Sequence, residues 1–93
     1  MSNYKVFATA EFSKGLAALD GSIRESLRKK INEYVLPQLI SAPQYGLNIK
    51  KLRGYTPETW RYRIAHYRLF YEVDEEKKIV SLISISNRKN AYE

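Results

Sequence analysis

Cysteine is absent from the 93 residues and histidine occurs once. The first absence excludes a disulfide framework, a thiolate nucleophile and a cysteine-based metal site; the second argues against histidine-based zinc. No apolar run approaches the ~20 residues of a membrane-crossing helix. The opening MSNYKVFA also lacks the positive-then-apolar layout of a secretory signal. These absences point to a cytoplasmic protein with no membrane attachment, no metal and no cofactor. Acids are scarce too, ten Asp and Glu against sixteen Lys and Arg, giving a formal charge of +6.

What is present suits a small globular fold. Hydrophobic residues make up 44% of the chain, too many for disorder. Residues 1–93 are read as a single domain, which at this size buries roughly 60–65% of its unfolded surface and depends on good packing. The cationic excess is concentrated. Lys50, Lys51, Arg53, Arg61, Arg63 and Arg68 share one stretch with a single acid, Glu58. Such a cluster suits a polyanion or an acidic protein partner. Four of the six are arginines, the better residue for gripping phosphate, which weakens the alternative of a merely solvated surface.

The spacing predicts the following elements. YKVFATA (4–10) reads as a strand. Phe12, Leu16 and Leu19 then fall at helical intervals behind a Thr9 cap, ending at Asp20-Gly21. Ser22 and Glu25 form an S-x-x-E capping box for a second helix with Ile23, Leu27, Ile31 and Val35 on one face. The short link makes the two helices an antiparallel hairpin. Pro37 should end or kink the second helix at Leu36. Residues 37–59 hold all three prolines and two glycines, and LNIKKL (47–52) is a candidate strand or turn there. From Trp60 the pattern is sheet: 60–64, 67–74 and 77–86, joined at Ala65-His66 and at 74–77. The sole histidine, His66, is thereby assigned to a turn. The fold class is α+β, ordered β-α-α-β-β-β, with an antiparallel twisted sheet covered on one face by the N-terminal helix hairpin.

Strand alternation then sorts the arginines. Trp60, Tyr62 and Ile64 share a face, leaving Arg61 and Arg63 on the other. Along the next strand Tyr67, Leu69, Tyr71 and Val73 oppose Arg68, Phe70, Glu72 and Asp74. The apolar sets belong under the helices, because unpaired arginine is too costly to bury. Arg61, Arg63 and Arg68 should therefore share the uncovered face with Phe70. The competing reading is structural: Glu72 and Asp74 pair with these arginines across strands, for about 0.2–1 kcal/mol each.

KKLRG, the block WRYRIAHYRLFYEVD and the ending ISNRKNAY resemble the RelE/ParE toxin superfamily of bacterial toxin–antitoxin modules. The resemblance covers nearly the whole chain. It implies an antiparallel sheet with two N-terminal helices, and either a RelE-like activity, cutting messenger RNA on the ribosome without metal, or a ParE-like poisoning of DNA gyrase. The RelE pattern places basic residues at two alternate positions after KLRG, here Arg61 and Arg63. It adds an arginine in the next strand, here Arg68, an arginine after the last strand, here Arg88, and a tyrosine beyond it, here Tyr92. All five positions are filled, which favours the endoribonuclease over a gyrase poison or an inactive binding homologue. Lys50, Lys51 and Arg53 are assigned to guiding RNA.

In metal-free cleavage the ribose 2′-OH attacks the adjacent phosphorus. Fixed guanidiniums can hold the charge that grows on the phosphoryl oxygens. Tyr92 can stack on a base or move a proton. Arginine stays protonated, so Arg63 is a poor general base. Some relatives carry lysine at that position, and many carry histidine where this chain has Asn87; the base is left unassigned. The resemblance also implies a cognate RelB-like antitoxin with an acidic segment that folds onto the toxin.

Overall fold

The computed structural model describes residues 3–87. Five strands, β1 (Lys5–Ala8), β2 (Ile49–Leu52), β3 (Thr59–Ile64), β4 (Tyr67–Asp74) and β5 (Ile79–Asn87), form one sheet in the order β1-β5-β4-β3-β2. Antiparallel pairing runs from β2 through β5, as the short links require, whereas β1 lies parallel to β5. The sheet is therefore mixed, and the 47–52 segment supplies an edge strand.

Helix α1 (Ala10–Ala17) begins where expected: Thr9 Oγ1 accepts from the Phe12 N–H at 3.2 Å. The same hydroxyl donates to the carbonyls of Leu82 (2.8 Å) and Ile83 (3.2 Å), fastening the helix start to β5. Helix α2 (Gly21–Lys30) starts one residue before the expected capping box, with Asp20 as its N-cap residue. Ser22 Oγ instead donates to Asp20 Oδ2 at 3.1 Å, and Glu25 turns to Arg24 and Arg28.

The helix also passes Pro37 rather than ending there. A π-helical turn, Ile31–Val35, leads into α3 (Leu36–Ser41), and the Leu36 N–H bonds back to the Ile31 carbonyl. Proline removes one intrahelical bond and crowds the carbonyl four residues earlier. The widened turn just before it relieves that crowding, so the helical run continues.

One face of the sheet carries the core. Tyr62, Ile64, Leu69, Tyr71, Val73, Val80 and Leu82 pack against Phe12, Leu27, Ile31, Val35 and Leu39 of the helices. Burial of this set removes apolar surface worth about 25 cal/mol per Å² and supplies the main drive to fold. Tyr71, fully buried, donates its hydroxyl to the Pro43 carbonyl at 2.5 Å and so ties the long connection to the sheet. A polar cluster locks the end nearest β1. Tyr4 donates to Glu75 (2.7 Å), Lys78 pairs with Glu75, and Gln44 donates to both Glu58 and Glu75 (2.7 and 3.1 Å).

Candidate active site

The register of the sheet decides which side chains share the face away from the helices. Arg63 stands directly opposite Arg68, and Arg68 directly opposite Ser86. One step along, Lys50, Arg61, Phe70 and Ser84 form a second row across four strands. Directly opposed residues on one face have Cβ atoms about 4.5–5.5 Å apart, so these rows are contiguous. The three arginines that alternation assigned to one face are thus brought together on β3 and β4, with Lys50 beside them on β2.

The serines arrive by a bulge. Phe70 faces Ser84 while Tyr71 faces Leu82, leaving Ile83 as an extra residue in β5. The insertion reverses the alternation of the strand. Val80 and Leu82 face the core before it, and Ser84 and Ser86 join the arginines after it. Alternation in the sequence does not reveal these serines, because a bulge is set by pairing and not by composition. Thr9, whose hydroxyl donates to the carbonyls of Leu82 and Ile83, holds the bulge in place.

Exposure is graded across the cluster. Arg63 is exposed and Arg61 half-buried. Arg68, on the central strand β4 between β3 and β5, is only 7% exposed. A guanidinium held this way is positioned by its surroundings rather than swinging in water, which suits geometric recognition of an anion.

The acids do not stand opposite these cations. Glu72 faces Thr59 and Ser81, one row beyond Phe70, and Asp74 faces Ile79. Asp74 Oδ1 accepts from the Lys77 N–H at 3.0 Å. Glu58, the one acid in the basic segment, accepts from the Trp60 indole and the Gln44 amide, both at 2.7 Å. Among the described residues, the register sets no carboxylate directly across the strands from Arg61, Arg63 or Arg68, although Arg61 and Arg68 do have interaction partners.

The other basic residues divide. Lys51 projects to the opposite side from Lys50, with its Nζ 6.0 Å from the centre of the Trp60 ring, in cation–π range. Arg53 lies exposed in the turn after β2. The following Gly54 has φ +81°, the left-handed region that the last residue of KLRG must enter for the chain to turn away from β2. His66 is exposed in the two-residue β3–β4 turn. Arg88 and Tyr92 lie outside the described residues.

A family model described as the ParE toxin of the type II toxin–antitoxin system parDE matches residues 6–92. The chain belongs to the RelE/ParE toxin superfamily. It is also 33% identical over 75 residues to the mRNA interferase toxin RelE of Escherichia coli K12, spanning 78% of this chain and 70% of that one. The crystal structure of isolated E. coli RelE superposes with a TM-score of 0.65 at 29% identity, covering 90% of this chain and 83% of that one. The toxin–antitoxin complex RelBE2 of Mycobacterium tuberculosis gives a TM-score of 0.71 over 92% of this chain and 99% of that one. At 23% identity this last likeness supports the fold alone.

Proposed function

We propose that this toxin is an endoribonuclease that cleaves messenger RNA on the ribosome, without a metal ion, through attack by the ribose 2′-OH. The observation that carries the reading is the Arg63–Arg68 pair set across β3 and β4, with Arg61 and Lys50 in the adjoining row. A bond forms between the 2′-oxygen and phosphorus while the bond from phosphorus to the 5′-oxygen breaks. The products are a 2′,3′-cyclic phosphate and a 5′-OH. The 2′-OH gives up its proton and the leaving 5′-oxygen takes one. Guanidiniums fixed beside the phosphoryl oxygens stabilise the charge that peaks in the transition state, and one such donor is worth about 10²–10³ in rate. Arg88 and Tyr92, carried over from the RelE pattern, complete the site.

The proton acceptor is not among the arginines, which stay protonated. Phe70, Ser84 and Ser86 beside them supply no base of useful strength either. It is supplied by Tyr92 or by the ribosome, and the second case gives ribosome dependence a chemical reason: the free toxin would hold the phosphate but move protons poorly. The E. coli RelE relative is named an mRNA interferase, and the filled arginine set agrees with that activity. The partner is a RelB-like antitoxin whose acidic segment covers the cationic face, in keeping with the RelE–RelB complexes of similar fold.

The family model carries the ParE description, and this favours gyrase as the rival target. Induced expression separates the two. The ribonuclease reading expects primer-extension stops within translated messages and intact chromosomal DNA. A gyrase poison leaves DNA breaks and uncut messages, and an inactive homologue leaves neither. Alanine at Arg63 or Arg68 should abolish the stops. Full toxicity of those variants would overturn the site assignment.

A further inference from the structure

Beside the β3–β4 turn the helical run and the sheet part, leaving a cleft of ≈ 240 Å³ whose walls include Lys30, Tyr34, Asn48, Tyr62, Arg63 and Ala65. Two features of the fold create it. Strand β2 begins at Ile49, opposite Tyr62, so β3 runs on past its neighbour, and the Arg63 N–H meets only the Asn48 carbonyl there, at 2.9 Å. Above this gap the π-helical turn carries Tyr34. Ile31 and Val35 of the same turn satisfy the core, whereas Tyr34 remains 65% exposed. Packing thus gives no reason for an aromatic ring at this position.

We propose that this cleft binds one nucleoside of the RNA strand, next to the phosphate held by the arginines. The proposal rests on the ribonuclease reading and names where a neighbouring nucleotide goes. Arg63 bounds the cleft at the sheet edge, while its place in the strand alternation belongs to the arginine row on the opposite face from Tyr62 and Ile64. A strand with its phosphate on that row reaches the cleft by turning round the edge of β3, where β2 has not yet begun. The Tyr34 ring offers a stacking surface, which any base can use. Lys30 offers a point charge to the next phosphate. Asn48, with both donor and acceptor atoms on its amide, can read a base edge or a 2′-OH. Among the described residues, no carboxylate lines the cleft. Its volume lies below the roughly 300–1,000 Å³ typical of drug-sized ligands, so it admits one base and excludes a stacked pair.

The test uses the full chain and a non-cleavable 2′-deoxy trinucleotide followed by NMR. Shifts of the Tyr34 ring and Asn48 amide signals on titration support the subsite, as does a roughly tenfold weaker affinity for Tyr34→Ala that Tyr34→Phe restores. On ribosomes, the same Tyr34→Ala change should fall on KM rather than kcat and redistribute the cleavage positions. Unmoved Tyr34 and Asn48 signals with unchanged KM and cleavage pattern would overturn the subsite while leaving the ribonuclease reading intact. If the parent chain cuts no message, that reading fails and the titration alone decides whether the cleft takes a nucleotide. Weaker antitoxin binding by Tyr34→Ala, with trinucleotide binding unchanged, would reassign the cleft to the protein partner and overturn the proposal.

Discussion

Replacing Arg63 by glutamine should make the protein more stable and less active at once. Arg63 is exposed and stands directly opposite Arg68. Like charges set directly opposite across strands cost about 0.2–1 kcal/mol, a modest figure because side chains turn away and salt screens them. Relief of about 0.5–1 kcal/mol is therefore expected. Glutamine keeps most of the apolar stem, so little packing is lost. In a domain of this size that relief raises Tm by about 3–6 °C. Urea melts at low ionic strength should show a higher midpoint with unchanged slope, and the gain should vanish near 1 M salt, where the screening length is about 3 Å. Cleavage should meanwhile fall about 10²–10³-fold. A lower Tm for Arg63→Gln at low salt would mean that the arginine is structural. A more stable variant that still cleaves like its parent would mean that the row does not touch the reacting phosphate. Either result refutes the reasoning.

Three further outcomes follow from the fold. Tyr71→Phe removes the buried bond to Pro43 and should cost about 1–3 kcal/mol in chemical denaturation, since the carbonyl is left without that donor. Burial, chiefly, pushes the Tyr71 hydroxyl well above its ordinary value of 10.0; its contribution is complete below pH 10 and is lost as pH rises toward the folded-state value, so the parent's stability should drop more steeply above pH 10 than that of Tyr71→Phe. Lys50→Gln should lower the salt dependence of single-stranded RNA binding by about 0.7 in log–log slope, and Lys51→Gln, on the other face, should leave it unchanged; equal effects would refute the assignment of faces. Thr9→Ala removes both the α1 cap and the hydroxyl that holds the Leu82–Ile83 bulge, and should cost about 1–2 kcal/mol in stability. Its cleavage rate should fall more than the lost stability explains, because Ser84 and Ser86 lose their register beside the arginines.

The parts of the site legible in the sequence are those governed by local periodicity. Alternation over 60–64 and 67–74 was enough to separate Arg61, Arg63 and Arg68 from Tyr62, Ile64, Leu69 and Tyr71, because a two-residue turn leaves no freedom of register. The same logic misplaced nothing on β3 and β4, yet it could not sort Lys50 from Lys51, since the 47–52 segment had not been fixed as a strand. Features that depend on distant partners were hidden. The parallel pairing of β1 with β5, the bulge at Ile83 and the cleft under Tyr34 all arise from contacts between remote segments. At Pro37 a sound local rule gave way to a π-turn two to six residues earlier, because Leu39 beyond it is buried in the core and rewards continuing the helix. At Ser22 a capping box read correctly from its letters was bypassed when Asp20 came to open the helix two residues sooner.

The attachment of Thr9 to Leu82 and Ile83 joins residues 73 and 74 positions apart. During synthesis β1 and the start of α1 leave the ribosome early, and the strand they must dock on is made last. Until β5 emerges, the central strand β4 has no neighbour on one side, and the Arg68 row lacks its serine end. Contacts of such long range also slow the final closure. The sheet thus closes, and the row of Arg63, Arg68 and Ser86 becomes whole, only after β5 has been made.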